Sequence, residues 1–338
     1  MDSDEIRWGI VGPGRIAAKV AGDLAIVDGG TLHAVGSRSL DRARAFAEAH
    51  GAVVAYGSYG DLLCDPDVDA VYIATPHRQH HALAMAAIDN RKHLLVEKAF
   101  TCTVAGALEI VEAARAAGVF CMEAMWTRFH PAVARMRELI ADGAIGEVRA
   151  VRADLGVRSA VDPVNRLWDP AQGGGALLDL GAYPVSFVQS VLGGTPASTA
   201  TAGAVGPTGV DAEAAVLWRG DDARIGWAQC SLTSPLSRTA AVFGTAGWIE
   251  VPAAFYRPAT LRVHPTHSDG RTHGFETVDA PATGTGYSHE IDEVHRCIAA
   301  GLTESPVMPL DDTIAVMTVL EGALHDLGVH FDEADVPL

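Results

Sequence analysis

The sequence predicts an α/β protein of two domains: an N-terminal doubly wound domain around a parallel sheet, and a C-terminal α+β domain with an open, mainly antiparallel sheet. Three observations predict it. The first third alternates short apolar runs with amphipathic stretches of helical length, the pattern of βαβ units wound right-handed. After about residue 125 that rhythm gives way to short alternating runs separated by Gly-Asp and Ala-Gly turns, as antiparallel strands require. The chain has 338 residues, more than one ordinary core, which suggests two. The boundary is expected at 124/125, giving domains 1–124 and 125–338.

Along the first domain, residues 6–11 read as a buried strand, followed by strands at 31–36, 70–74 and 93–96. Helical patterns fall between and after them at 41–50, 79–90 and 104–117. In the second domain 131–142 is a helix opened by Pro131, and 146–155 alternates as a strand. Its Val148, Ala150 and Arg152 fall on one face and Arg149, Val151 and Ala153 on the other. Strand-like runs follow at 212–218, 223–231, 239–244 and 248–251, with 219–223 as a hairpin connection. A sheet of about six strands or more, covered on one face by helices, is expected. Residues 195–209 read as a Gly/Ala/Thr-rich connection, and helices return at 290–300 and 314–327.

Composition excludes several function classes. With 42 acidic against 25 basic residues, the formal charge is −17. A phosphate-backbone partner needs a dense basic surface, so no nucleic acid is expected. No uninterrupted apolar run approaches the ~20 residues of a bilayer span, so no membrane partner is expected either. Met1-Asp2-Ser3-Asp4-Glu5 is acidic and does not read as a signal peptide. The five cysteines are scattered without a Cys-x-x-Cys pair. They read as buried free thiols in a cytoplasmic protein.

The first chemical motif is Gly12-Pro13-Gly14-Arg15-Ile16-Ala17, directly after the strand at 6–11. Gly12 permits a tight turn, Gly14 lets backbone approach a pyrophosphate, and Ala17 lets the helix pack close to the sheet. The following helix N-terminus would aim its amides at the phosphates. Gly12, Gly14, Arg15, Ile16 and Ala17 are therefore the expected cofactor cradle of a Rossmann dinucleotide-binding domain. After the second strand, an NAD-selective fold places an acid on the ribose hydroxyls. Here Ser37, Arg38 and Ser39 stand there, followed by Arg42. Hydroxyl and guanidinium donors suit a 2′-phosphate, so NADP is expected over NAD.

Thr75 and Pro76 follow the strand at 70–74, at the carboxyl edge where open α/β sheets bind ligands, and His80 is expected to border the cofactor. His77, His80 and His81 do not form a metal set, having no nearby Cys or paired carboxylates, and no metal is expected. Glu97-Lys98 closes the strand at 93–96, where a nicotinamide would lie; Lys98 could donate to a substrate oxygen and stabilise developing alkoxide. In Gly173-Gly174-Gly175-Ala176-Leu177-Leu178-Asp179-Leu180-Gly181-Ala182-Tyr183, a helix would set Asp179 and Tyr183 four apart on one face. The carboxylate would orient the site and the phenol would move the reacting proton. Pro184 removes a backbone donor just beyond and calls for a kink or an early turn there. The bland alternatives are a surface lysine at a strand end and a core helix with a satisfied tyrosine.

Together with Glu123-Ala124-Met125-Trp126-Thr127-Arg128-Phe129 and Gly286-Tyr287-x-x-Glu290, these motifs resemble the glucose–fructose oxidoreductase / inositol dehydrogenase (Gfo/Idh/MocA) family. The resemblance runs over nearly the whole chain and is closest to the dimeric dihydrodiol dehydrogenase branch. It implies that Lys98 and Tyr183 flank the substrate hydroxyl with Asp179 alongside, and that the branch's Tyr stands at 183 where many relatives carry His. It implies NADP linkage and a homodimer formed through the open sheet. It also implies Trp126, Phe129 and Trp168 around the substrate, and Arg166 and Tyr287 lining the cleft with Glu97 and Lys98 at the cofactor. One departure is Ala99 where the family's Glu-Lys-Pro has proline; alanine disfavours cis, so a local backbone difference is expected.

The function these readings converge on is an NADP-dependent oxidoreductase moving a hydride between nicotinamide and a CH–OH/C=O carbon. Its substrate would be a sugar, cyclic polyol or trans-dihydrodiol. Two alternatives stand beside it: a hydrolase or epimerase-like enzyme that retains its cofactor, and a non-catalytic NADP-binding sensor. Net cofactor turnover separates the first from the second, and the joint presence of Lys98, Asp179 and Tyr183 weighs against the third.

Overall fold

In the computed structural model, which describes residues 5–266, 270–271 and 274–338, six parallel strands form the first sheet. They are β1 (Ile6–Val11), β2 (Gly30–Gly36), β3 (Val54–Tyr56), β4 (Ala70–Ile73), β5 (His93–Glu97) and β6 (Cys121–Ala124), in the order β3-β2-β1-β4-β5-β6. This is the doubly wound Rossmann order, whose switch point lies between β1 and β4. The central strands β4 and β5 bury nearly every residue, as a parallel sheet covered on both faces demands. The crossovers are α1 (Arg15–Leu24), α2 (Leu40–His50), α3 (Tyr59–Leu63), α4 (His80–Asp89) and α5 (Val104–Ala117). Ser39, Ser58 and Thr103 cap α2, α3 and α5 by accepting from backbone N–H groups. β3 and β6 were not expected. β3 is three half-buried residues, too short for a periodic signal, and β6 reads Cys-Met-Glu-Ala, with a buried Glu123 breaking the apolar run.

The second sheet has eight strands in the order β14-β13-β12-β11-β7-β10-β9-β8. They are β7 (Val148–Gly156), β8 (Ser198–Val205), β9 (Asp211–Arg219), β10 (Ile225–Ser231), β11 (Ala240–Gly244), β12 (Gly247–Val251), β13 (Thr260–Pro265) and β14 (Glu276–Asp279). Only β7 and β10 pair in parallel; the other neighbours are antiparallel. β8 corrects the reading of 195–209 as a connection. Its residues are small and nearly all exposed, so local composition carries little strand signal, and pairing with β9 supplies what propensity does not. α6 (Pro131–Ala141) precedes the sheet, and α7 (Ala182–Leu192) packs on β7 and β10.

The chain divides into two compact units, and their limits differ from a break at 124/125. Unit 1 comprises Met1–Trp126, Thr283–Thr313 and Asp332–Leu338; unit 2 comprises Thr127–Ala282 and Ile314–Phe331. Within unit 1, the Asp23 carboxylate on α1 accepts from Tyr287 N (2.8 Å), Ser288 N (3.0 Å) and the Thr285 hydroxyl (3.1 Å). It thus caps the start of α8 (Ser288–Ala299) from the far end of the sequence. α9 (Leu310–Asp326) begins in unit 1 and continues in unit 2.

Three smaller expectations are also corrected. The helical stretch Pro170–Leu192, 23 residues, is long and apolar enough by length and composition to cross a bilayer, but 78 % of its most apolar window is buried within the protein. Its polar and small residues hide it from a search for uninterrupted apolar runs. Cys64 is exposed, unlike the other four cysteines, though all five are free. The Lys98–Ala99 peptide is cis despite the alanine; Ala99 is fully buried, with its carbonyl oxygen 3.0 Å from His80 Nδ1.

Candidate active site

In unit 1 the Gly12–Ala17 turn leaves β1 and opens α1 as the motif requires. Gly12 has φ +94°, and a Cβ there would meet Thr75 Cγ2 at 2.9 Å and Ala74 O at 3.1 Å, so only glycine fits the turn. Gly14 is different: a Cβ built on it meets nothing within 4 Å. It is also the N-cap of α1, where no side chain accepts from the amides and no acidic residue sits in the first turn. An uncapped helix start facing open space is an anion site in waiting. Beside it, Thr75 Oγ1 is buried with no hydrogen-bond partner among the described residues. Ala17 is fully buried against the sheet, whereas Arg15 and Ile16 are exposed. The residues present therefore fit a dinucleotide.

At the end of β2, Ser37 is buried and its hydroxyl accepts from Ser39 N at 3.3 Å. Ser39 in turn accepts from Arg42 N. Both hydroxyls accept within the turn and each retains an O–H to donate, with Arg38 and Arg42, both exposed, as the guanidinium donors beside them. At the ends of β4 and β5 the arrangement is tighter. Pro76 follows Thr75 into a single helical turn at His77–Gln79. Fully buried His80 places Nε2 2.9 Å from Thr75 O and Nδ1 3.0 Å from Ala99 O. Its two ring nitrogens face main-chain oxygens of both loops, and the neutral ring donates its one N–H to one of them. Burial holds its pKa below the usual histidine range.

Glu97 and Lys98 sit at the carboxyl end of β5, as read from sequence. The Glu97 carboxylate accepts from the Tyr72 hydroxyl and from Lys98 N at 3.2 Å. Tyr72, fully buried on β4, is pushed well above the usual tyrosine pKa by burial and by the Glu97 charge. Glu290 on α8 was not singled out by itself. It is fully buried, and burial followed by Glu97 and Asp23 pushes its carboxyl well above the usual range, so it holds a proton where an exposed glutamate would not. Tyr287 and Trp126 stack face to face, with centroids 4.1 Å apart and planes 3° apart. At 3 % and 5 % exposure, they spend most of their surface on each other and on the core.

In unit 2 the Gly173–Gly175 run is an irregular turn; the helix begins at Ala176, passes through a π turn at Leu177–Gly181 and runs into α7 at Ala182. Pro184 follows within that continuous run, and the π turn before it accommodates the missing N–H. Gly181 lets Cys230 approach: a Cβ there would lie 3.1 Å from its Sγ. Asp179 pairs with Arg166 at 2.6 Å, which assigns Arg166 to orienting that carboxylate. Tyr183 lies against Tyr256, ring centroids 5.5 Å apart. Buried Arg128 donates to Ser186 Oγ at 3.1 Å and to Gln189, locking α7 from below. Trp168, expected at the substrate, has 0 % exposure and donates to Ser159 Oγ at 3.1 Å; it is a core residue whose indole is satisfied by protein. Phe129 is likewise buried.

Asp211 was missed altogether. Its Oδ2 accepts from Leu177 N at 2.6 Å, so it caps the helix that carries Asp179 and Tyr183. Gly175 at φ +117° leaves the space that Oδ1 fills, since a Cβ would stand 2.1 Å away. Burial pushes the Asp211 carboxyl up to about 6. The glycine run is a signal that something packs close, but the sequence does not say what.

Two features lie away from this chemistry. A groove of about 1490 Å³ in unit 1 is lined by Ile6, Arg7, Gly30, His33, Asp69 and His295. These residues lie at the amino ends of the strands, the opposite edge from the Gly12 turn. His33, Asp65 and Asp67 bring ligand atoms within 4.8 Å of one another, but Arg7 and Tyr56 already engage those carboxylates.

Known proteins match over the same two parts. Residues 6–125 match the oxidoreductase family, NAD-binding Rossmann fold, and residues 133–250 match the GFO/IDH/MocA C-terminal domain. The chain is 36 % identical over 337 residues to trans-1,2-dihydrobenzene-1,2-diol dehydrogenase of Bos taurus, covering 97 % of this chain and 98 % of that protein. It is 37 % identical over 336 residues to the Homo sapiens protein of the same name, with the same coverage. A solved structure of KijD10, a 3-ketoreductase from Actinomadura kijaniata in complex with TDP-benzene and NADP, superposes with a TM-score of 0.79. It is 26 % identical, over 94 % of this chain and 96 % of that one.

Proposed function

The chain belongs to the Gfo/Idh/MocA oxidoreductase family and is a dehydrogenase with an NAD(P)-binding Rossmann domain, and from that premise we propose that it is an NADP-dependent dehydrogenase of trans-dihydrodiols or related cyclic polyols. The observation that carries this reading is the uncapped, unobstructed start of α1 at Gly14, on the sheet edge where Lys98 follows β5. The preference for NADP rests on Arg38 and Arg42, exposed after β2, with no carboxylate among residues 36–39 to accept from a ribose. The diol class rests on the relatives named for it and on Tyr183.

When bound, the nicotinamide supplies the hydride acceptor. The rest of the chemistry falls to side chains. Lys98 donates to the substrate oxygen and offsets the charge that develops there. Tyr183 takes the hydroxyl proton as the neighbouring C–H bond breaks. Asp179, oriented by Arg166, holds the polar surroundings of that proton in place. Lys98→Met and Tyr183→Phe are expected to lower kcat about 10²–10⁴-fold while leaving NADPH fluorescence binding in place. NADP consumed in step with diol oxidised supports the dehydrogenase; binding without net consumption would move the reading to a retained cofactor.

The assembly we propose is a homodimer through the open face of the second sheet, where Leu217 and Ile225 are about half exposed beside Trp227. A row of stacked rings, Trp227, Phe243, Trp248 and His264, continues across that face, and such a patch needs cover. We place the protein in the cytoplasm, a reading that rests on its five free cysteines.

A further inference from the structure

We propose that the C-terminal tail is a strap that positions the two loops of the cofactor crevice, and that Glu333 is a positioning residue for Lys98. The inference rests on the dehydrogenase reading. The loops after β4 and β5 carry Thr75–Pro76 and Lys98, and the second of them runs without regular structure from Lys98 to Thr103. Each loop is gripped by the tail, which belongs to unit 1.

At the first loop, Arg78 Nε donates to Asp332 O and Ala334 N donates back to Arg78 O, both at 2.7 Å. At the second, one oxygen of Glu333 accepts three hydrogen bonds of 2.9 Å, from Cys102 N, Thr103 N and Thr103 Oγ1. Thr103 is the N-cap of α5 and Cys102 the residue before it, so the carboxylate holds the chain where it enters the helix. Gly106 makes room for the carboxylate: a Cβ there would stand 2.9 Å from Glu333 Oε1 and 3.1 Å from its Cγ.

The consequence for Lys98 follows from what fixes its neighbours. On the amino side, Glu97 is held by Tyr72. On the carboxyl side, Ala99 O faces His80, the Thr101 hydroxyl donates to Thr103 O at 2.8 Å, and Cys102–Thr103 hang on Glu333. Releasing Glu333 frees the carboxyl end of a short segment whose other end is anchored, which lets the lysine wander from its reacting position. Small misplacements of this kind are costly to turnover.

The test uses the full chain. Glu333→Ala is expected to lower kcat about tenfold or more with a smaller change in diol KM, and Glu333→Gln, which keeps an acceptor oxygen, to restore most of the loss. In the cofactor-free protein, Glu333→Ala should speed amide exchange at Cys102 and Thr103. Ala334→Pro removes the N–H given to Arg78 at a tail position that carries little folding risk, and should weaken NADPH binding about threefold or more. The proposal is overturned if Glu333→Ala lowers only the melting temperature, or if the glutamine variant is as impaired as the alanine. Should Glu333→Ala fail to fold, unchanged NADPH binding in Ala334→Pro overturns it instead. Lys98→Met is assayed in parallel. If it keeps full turnover, the dehydrogenase mechanism fails; if it is inactive while Glu333→Ala is normal, the strap alone fails.

Discussion

Two glycines two positions apart in one motif do different work, and substitution separates them. At Gly12 the backbone is left-handed and Thr75 is in the way, so Gly12→Ala should cost about 1–3 kcal/mol of stability. At Gly14 there is ordinary backbone and empty space; Gly14→Ala should melt within about 0.5 kcal/mol of the parent yet bind NADPH less tightly, because the methyl takes the room of a phosphate. Calorimetry and fluorescence titration on the two variants check both statements. Asp211 is the residue whose charge most directly touches the helix of Asp179 and Tyr183. Its carboxyl titrates near 6 in the folded chain against 3.8 ordinarily, so between those values the folded state binds the extra proton. The stability it contributes is complete below pH 3.8 and is lost as pH rises through about 6. Asp211→Asn should flatten that fall in urea denaturation midpoints, by up to about 3 kcal/mol; an unchanged slope would show that the carboxyl is not held protonated. The two glycine roles were legible in the motif; the role of Asp211 was not. The glycines announce a close approach, but Asp211, Arg166 as the partner of Asp179, and His80 as a loop tie became visible only with their neighbours in place.

Elements were easiest to read where a period was long and flanked by strong punctuation. The four principal parallel strands and the helices near 41–50, 104–117 and 131–142 fall within a few residues of their expected bounds because burial on a fixed face forces the pattern. β3, β6 and β8 escaped, each for want of its own hydrophobic signature: one is three residues long, one carries a buried glutamate, one is nearly all exposed. The same alternation exposes the outer face of the second sheet. Trp227 on β10 lies opposite Leu217 on β9, and both point away from the side covered by α7. Replacing them with charge, as in Leu217→Glu with Trp227→Arg, should yield a folded monomer by light scattering where the parent is a dimer; a parent that is itself monomeric refutes the proposed assembly.

For the whole molecule, the fold class and the order of its two sheets were legible because each rests on repeated local signals. The allocation of chain to units was not. Residues 283–313 look like ordinary helix and loop, and nothing in their pattern says that Asp23 caps the helix they contain. A fragment ending at Ala124 therefore lacks α8 and the tail, leaving Asp23, Trp8 and the start of α5 without His295, Tyr287 or Glu333. It should keep far-UV helix signal but lose near-UV dichroism and bind a hydrophobic dye, whereas a fragment that packs natively would show those contacts to be dispensable. The discontinuity also bears on synthesis. The ribosome delivers the parallel sheet first, yet about 156 further residues separate Trp126 from the first returning segment at Thr283. At roughly 5–20 residues per second, the nascent sheet waits on the order of ten to thirty seconds for its last helix. Throughout that interval the surface reserved for α8 is open to holdase chaperones and to neighbouring nascent chains.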